Sequence, residues 1–279
     1  MGWTKKLAQQ HMYIFSFIVT LIAIGLLYVC NFWIFKSDNK LDYDLNRILA
    51  YLVPVIFVFV VCLFSGNINK IEFHKEGIGT GILLGWPFII VGVIELVSSY
   101  LSFDKSSISF PSIEKIIFFT LVMVLIGIFE EVLCRGVILN NMLSKWRYTK
   151  TGIIKAVILS SLVFGVGHLV NLFIYPNLII RTLVQVMRAS LHGFLFASIY
   201  LRCKNIWSVV ILHGLYDWLV MAKDIYHPVT VTATPVDISV VSGLINIMYS
   251  IPFALVGLFL LRKVLVKDIS QTVTDTKSI

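Results

Sequence analysis

Long apolar runs, separated by short polar segments, set the pattern of this chain. A helix needs roughly 20 apolar residues to cross the bilayer's hydrocarbon core, which is about 30 Å thick. Eight runs approach that length, at 12–35, 49–65, 78–101, 116–139, 153–174, 182–201, 206–221 and 240–261. The seventh is short, so we expect the bilayer to thin around it or neighbouring helices to shield its ends. The pattern predicts an all-α, polytopic membrane protein with about eight transmembrane helices.

Composition narrows the class of protein further. The 279 residues are 58% hydrophobic and only 14% charged, with a mean hydropathy of +0.90. These values exclude a water-soluble domain, a disordered chain and a collagen-like chain. The four cysteines lie in or beside apolar runs, so none suggests an extracellular disulfide. The net charge of +8 comes from basic residues scattered between apolar runs, which indicates membrane orientation and no nucleic-acid partner.

The lysine and arginine residues predict the orientation of the chain. With the N-terminus inside, fourteen of them fall on the cytoplasmic side and seven on the outer side. Both termini are therefore expected in the cytoplasm, in the cell (cytoplasmic) membrane. The first run is too long for a signal peptide and lacks a small-residue cleavage site, so we interpret it as a retained helix. No myristoylation or prenylation pattern occurs at the ends, which predicts a spanning protein rather than a lipid-anchored one.

Several ionisable residues lie inside the apolar runs. Each costs about 2.5–3.5 kcal/mol to insert at the bilayer centre, so each is a candidate functional residue. The candidates are Glu130, Glu131 and Arg135 in the fourth run, His168 in the fifth, and His213 and Asp217 in the seventh. The sixth run also carries Arg188 and His192, for which packing between helices or lining of the cavity is the favoured interpretation.

Helical spacing sorts the candidates. Glu131 and Arg135 are four residues apart and share a helix face, as do His213 and Asp217. Glu130 points about 100° away from Glu131. One carboxylate is thus expected to be held by Arg135 while its neighbour faces something else. Two adjacent carboxylates in a low dielectric disfavour double ionisation, so a proton or a compensating cation is expected there.

The expected depths of three candidates agree. At a rise of about 1.5 Å per residue, Glu130 lies roughly 15 Å, His168 roughly 20 Å and His213 roughly 12 Å from the cytoplasmic ends of their helices. All three fall near the midplane of one bilayer. We therefore expect the helices to enclose an intramembrane polar cavity.

Two chemistries are open to such a cavity. Glu130 can take a proton from water while His168 or His213 supplies a hydrogen bond or a proton to a developing oxyanion. Alternatively, His168 and His213 can serve with glutamate as ligands for Zn²⁺, which lowers the pKa of bound water to about 7. The His-Glu-x-x-His pattern of soluble zinc proteases is absent, so a zinc site would draw its ligands from separate helices.

At these residues the chain resembles the CAAX-protease and bacteriocin-processing family of intramembrane proteases (CPBP or Abi family), which includes the CAAX prenyl endopeptidases. The resemblance covers roughly residues 116–217. It rests on three motifs in order: E-E-x-x-x-R at Glu130, Glu131 and Arg135, F-x-x-x-H at Phe164 and His168, and H-x-x-x-N at His213, with Asp217 in the last place.

The resemblance implies a fold and a function. It implies a catalytic core over 111–225, preceded by N-terminal helices over 1–110 and followed by a last helix and cytoplasmic tail over 226–279. It also implies an endopeptidase whose Glu130 activates water against a peptide or membrane-associated protein. Asparagine at the last motif position would assist the oxyanion, so Asp217 departs from the pattern.

Two other classes of function compete with proteolysis. A bacteriocin-immunity factor or a membrane regulatory scaffold would use the motifs only for buried packing. In that case Arg135 and the two glutamates would form a structural ion-pair cluster. A proton-coupled transporter is a third class, suggested by intramembrane Glu and His. The chain lacks the repeat-related, Pro-broken half-helices that transporters of this kind use.

Overall fold

The computed structural model describes residues 10–34, 40–102, 110–226 and 236–275, together with Ala8. All regular structure in this part of the chain is helical, which confirms the all-α fold. The helices are α1 (Met12–Val29, continuing as a π-helical turn over Cys30–Ile34), α2 (Lys40–Ser65), α3 (Ile78–Leu84), α4 (Trp86–Ser102), α5 (Ile113–Glu131, continuing as a π-helix over Val132–Leu139), α6 (Asn140–Trp146), α7 (Lys150–Gly167), α8 (Asn171–Ile174), α9 (Ile179–Cys203), α10 (Ile206–Met221), α11 (Lys223–Tyr226) and α12 (Val240–Asp275). Short 3-10 turns lie at Ile68–Lys70 and His168–Val170.

The eight apolar runs all lie in helices, but fewer than eight qualify as membrane spans. In the described residues five helical stretches are long and apolar enough to cross a bilayer, and the bent pair α3–α4 makes a sixth. The remaining two are α10, an apolar helix of 16 residues, and α9, whose hydropathy is lowered by Gln185, Arg188 and His192. The count of eight transmembrane helices therefore stays a prediction.

Two helix boundaries differ from the sequence pattern. Helix α2 begins at Lys40 rather than near residue 49. Its first two turns are helical but polar, so a search for apolar runs does not detect them. The third run is not one helix, since α3 and α4 meet at Gly85 at an angle of 59°. Pro87 has no backbone N–H and its ring clashes with the carbonyl four residues back, so the helix breaks there. A side chain at Gly85 would collide with Leu212, so the glycine at this break lets α10 approach closely.

Helix α9 lies at the centre of the molecule. It packs against α12 and α7, while α10 packs against α5 and α4. Every residue of α9 from His192 to Tyr200 is buried. By contrast, α1, α2 and α12 present exposed apolar side chains such as Phe17, Ile56 and Phe259. Outer helices that expose apolar surface are suited to lipid, whereas the sheltered α9 and α10 can carry the polar residues.

The π-helix after α5 is held by one asparagine. Its wider turn leaves carbonyl groups without the usual i→i+4 partner. The Asn140 amide donates to the carbonyls of Arg135 at 2.8 Å and Gly136 at 3.2 Å, and to the Tyr200 hydroxyl at 2.9 Å. All eight π-helical residues are buried. This segment positions Arg135 in the interior and links α5 to α9.

The N-terminus of α9 receives its cap from a distant residue. Leu178 precedes the helix and supplies no side-chain hydrogen bond. Instead, the Asp237 carboxylate accepts hydrogen bonds from the backbone N–H groups of Ile180, Arg181 and Ile238, each at 2.8 Å. Desolvation raises the pKa of Asp237, but the three hydrogen bonds and the positive charge of Arg181 together outweigh it and hold that pKa below its usual value. The cap ties the segment before α12 to α9.

Replacing Asp237 with alanine should expose the first amides of α9. We expect the Ile180 and Arg181 amides to exchange hydrogen faster in Asp237→Ala, measured by hydrogen–deuterium exchange in detergent micelles. Because the folded pKa is depressed, the cap stabilises above the unfolded value of 3.8 and is lost as the pH falls through the lower folded value. Glu72→Ala, at an exposed carboxylate, is the control. Unchanged exchange in Asp237→Ala would show that the cap is not needed.

Candidate functional site

A buried ion pair joins three helices. Arg135 and Glu131 both have fully buried side chains, and Arg135 Nη1 donates to Glu131 Oε1 at 2.9 Å. Arg135 Nη2 donates to the Gly193 carbonyl on α9 at 2.7 Å. His213 Nδ1 on α10 lies 2.9 Å from the same Glu131 oxygen. Since a carboxylate oxygen can only accept, Nδ1 donates, and this fixes the orientation of the imidazole.

Aromatic rings and glycines keep water away from this pair. The guanidinium carbon of Arg135 lies 4.9 Å from the centre of the Phe164 ring and 5.6 Å from that of Phe196. A Cβ at Gly193 would lie 3.2 Å from Arg135 Nη2 and 2.9 Å from Phe164. A Cβ at Gly127 would lie 2.8 Å from a carbonyl of α10. The absence of side chains there lets α9 and α10 approach α5, and exclusion of water strengthens the ion pair.

The other ring nitrogen of His213 faces two carboxylates. His213 Nε2 lies 3.6 Å from Glu130 Oε2 and 3.4 Å from Asp217 Oδ2. The side chains of Glu130 and Asp217 are each 22% exposed, whereas Glu131 is fully buried. The two adjacent glutamates therefore point to different surroundings, as their helical spacing predicts. A proton must reside on Nε2 or on one of the two carboxyl groups, because bare lone pairs at these distances would repel.

His168 approaches the site from α7. It begins the 3-10 turn after that helix, and its Nδ1 lies 3.1 Å from the Phe164 carbonyl. A carbonyl accepts, so Nδ1 carries a proton and donates it, which leaves Nε2 directed away from this bond. The Phe164 ring makes edge contacts with both His168 and His213, with ring centres 5.5 Å and 5.6 Å apart. Phe164 thereby spaces the two histidines.

Two cavities meet at these residues. The glutamate cavity, of about 390 Å³, is lined by Glu130 and by residues of α1, α2, α5 and α7. The arginine cavity, of about 440 Å³, is lined by Arg181 and Arg188 and by residues of α7, α9, α10 and α12. Five residues line both cavities: Phe164, His168, Gln185, His213 and Asp217. Four of the six predicted site residues thus line the glutamate cavity. The other two are buried next to it, where Glu131 contacts His213 and Arg135 contacts Glu131.

Sequence reasoning missed one charged residue of the site. Arg47 was expected in an outer loop, but it lies in α2 and lines the glutamate cavity. The missed signal is the helical continuity of α2, which extends to Lys40 and brings Arg47 one turn before Tyr51 on the same face.

Arg188 and His192 do not belong to the carboxylate cluster. The His192 ring packs among Phe88, Tyr216 and Phe253, with centres 5.5 Å, 5.4 Å and 4.3 Å away. This agrees with the packing role favoured from the sequence. Arg188 lines the arginine cavity, which agrees with the cavity-lining role favoured from the sequence.

The residues do not form a metal site in this arrangement. Within the described ranges, no three side chains of His, Cys, Asp or Glu converge in a way that could hold a metal ion. Moreover, His213 Nδ1 is committed to Glu131. The expected pair of zinc ligands, His168 and His213, therefore lacks a suitable set of partners, and we derive no step through a metal.

Comparison with known proteins supports the family resemblance. The family model described as type II CAAX prenyl endopeptidase, Rce1-like, matches residues 112–219. No curated protein matches the chain significantly. The matched residues run from the start of α5 into α10 and contain all six predicted site residues. The resemblance predicted from the three motifs is confirmed, and the match supports a CAAX-type intramembrane protease.

Removing Arg135 should destabilise the fold strongly. Arg135→Ala leaves Glu131 charged, buried and without its main partner, at a cost of about 3–5 kcal/mol. We expect a clear drop in the midpoint of denaturant unfolding in mixed micelles. Adding Glu131→Gln should recover part of the loss, because it removes the unpaired charge. Arg202→Ala, at an exposed arginine of α9, is the control. Equal effects of Arg135→Ala and Arg202→Ala would contradict the structural importance of the pair.

Proposed function

We propose that this chain is an intramembrane endopeptidase in which Glu130 activates the attacking water. The observation that best supports this proposal is the difference in burial and contacts between two adjacent glutamates. Glu131 is fully buried against Arg135 and His213, whereas Glu130 reaches the glutamate cavity with 22% of its side chain exposed. Of the two, only Glu130 is placed to meet both a water molecule and a substrate.

The reaction follows from a carboxylate that accepts and returns one proton. Glu130 takes a proton from water as the water oxygen bonds to the carbonyl carbon of the scissile peptide, and the carbonyl electrons move to its oxygen. The tetrahedral intermediate collapses when those electrons re-form the carbonyl. The C–N bond breaks as the protonated Glu130 gives its proton to the leaving nitrogen, so that a neutral amine departs. A single group thus serves as general base and then as general acid.

His213 is the favoured donor to the oxyanion. Its Nδ1 is anchored on Glu131, which directs Nε2 toward Glu130 and Asp217. A protonated Nε2 stands beside Glu130, where the scissile carbonyl would lie. A donor fixed before the reaction stabilises the oxyanion without reorganisation, which makes such groups effective in a dry site. His168, which lines the same cavity, is a second candidate donor or a partner for the water.

Asp217 occupies the place of the expected asparagine. An ionised carboxylate facing the oxyanion would repel it. Asp217 instead lies 3.4 Å from His213 Nε2, so its charge is directed at the imidazole. We propose that it holds His213 and, when protonated, can donate to the oxyanion as an amide would.

The substrate class follows from where the cavities lie. They are enclosed by helices that expose apolar side chains outward, so a peptide or a membrane-associated protein is the proposed substrate and the lipid bilayer its surroundings. The cell membrane, with both termini in the cytoplasm, is the proposed location.

Glu130→Gln should abolish cleavage without unfolding the protein. The amide keeps the size of the side chain but cannot take a proton, so we expect the rate to fall at least about 10²-fold. Cleavage of a quenched fluorescent peptide library by purified protein in detergent measures this. Glu114→Gln, at an exposed glutamate in the first turn of α5, is the control. A Glu130→Gln variant with the wild-type rate, or one with a lowered unfolding midpoint, would remove Glu130 from this role.

Asp217→Asn and Asp217→Ala should differ. Asparagine retains an oxygen that accepts from His213 and adds an N–H that can donate to the oxyanion, so we expect its cleavage rate to stay near the wild-type rate. Alanine loses both contacts, and we expect a rate lower by on the order of 10-fold. Steady-state kinetics on one cleaved library peptide checks this. If both variants are equally slow, the carboxylate charge itself is required.

A further inference from the structure

One face of α9 carries polar side chains from Arg181 to His192, where the helix borders the arginine cavity. Arg181, Gln185, Arg188 and His192 follow at spacings of four, three and four residues, which places them on one side of a helix. All four line the arginine cavity together with Asn246 of α12. That cavity shares a wall with the glutamate cavity at His213 and Asp217, so this polar face lies next to the proposed reaction centre.

The other polar groups of this face have partners within the protein. Arg181 Nη2 donates to the Val236 carbonyl at 3.2 Å. Gln185 Oε1 accepts from Asn171 at 2.9 Å. The His192 ring is packed among aromatic rings.

The Arg188 side chain forms a hydrogen bond with Tyr216, which is neutral. It forms no ion pair with any carboxylate of the described residues, although Asp217 lines the same cavity. Its Nε is buried and has no hydrogen-bond partner there. A cation at the wall of a cavity inside an apolar bundle is costly unless paired, so the site is completed when an anion enters the cavity.

We propose that Arg188 binds a carboxylate of the substrate in the arginine cavity. This inference rests on the proposed endopeptidase function and adds a specificity determinant to it. A peptide that extends through both cavities would place its scissile bond at Glu130 and His213. On one side of that bond it would lie in the arginine cavity. Its carboxylate there is either the C-terminus or an Asp or Glu side chain. The guanidinium fork matches a carboxylate with two parallel hydrogen bonds.

Paired peptides test the proposal and identify the source of the carboxylate. Library peptides cleaved by the wild type are resynthesised with a free or an amidated C-terminus, and separately with Asp and Glu replaced by Asn and Gln. KM and kcat are measured for wild type, Arg188→Gln, Arg188→Lys and the control Arg202→Gln. For a peptide with the recognised carboxylate, we expect Arg188→Gln to raise KM about 10- to 100-fold, with partial rescue in Arg188→Lys.

The pattern across peptides decides the outcome. Loss of the Arg188→Gln effect upon amidation assigns the C-terminus, and loss upon Asp or Glu replacement assigns a side chain. An Arg188→Gln effect that is equal for acidic and neutral peptides shows a structural role and overturns the proposal, even though proteolysis stands. If the wild type cleaves no library peptide, the endopeptidase function fails separately. Binding of fluorescein-labelled acid and amide pools, followed by polarisation, then decides: equal binding of both pools by the wild type overturns the carboxylate site.

Discussion

The buried ion pair of Glu131 and Arg135 is the interaction on which the rest of this structure depends. It connects α5, α9 and α10 through the Gly193 carbonyl and His213. Removing two charges from water is expensive, and the attraction between them repays that cost only when the remaining hydrogen-bonding groups are also satisfied. The network therefore contributes little net stability. It nevertheless constrains the fold, because it forms only when the three helices meet in one arrangement.

That arrangement gives two neighbouring glutamates different chemistry. Glu131 is buried against Arg135 and orients His213, and Glu130 is left at the cavity wall, where it can meet water. A low dielectric strengthens each charge–charge interaction among them, and the same site in water would have much less effect on a reacting carbonyl. The polar residues are tolerated in an apolar chain because α9 and α10 are sheltered by outer helices that expose apolar side chains.

The sequence was sufficient for the helical class and for grouping the six motif residues, because helical spacing fixes which side chains share a face. It failed where tertiary contacts override apolar patterning. Polar turns extend α2 and bring Arg47 to the cavity, Pro87 breaks the third run, and Asn140 supports a π-helix. The cap on α9 comes from Asp237, 57 residues from Ile180, which no local signal reveals. The absence of a carboxylate partner for Arg188 among the described residues likewise depends on what other helices place around it.

The most direct test of Glu130 as the group that activates water is the cleavage rate of the purified wild type after removal of metal with a strong chelator. In the proposed mechanism Glu130 activates the water without a metal, and His213 Nδ1 is committed to Glu131. We therefore expect the same rate before and after chelation. A rate that is lost on chelation and restored by Zn²⁺ would contradict this mechanism, and would require His168 and His213 to rearrange into a set of metal ligands.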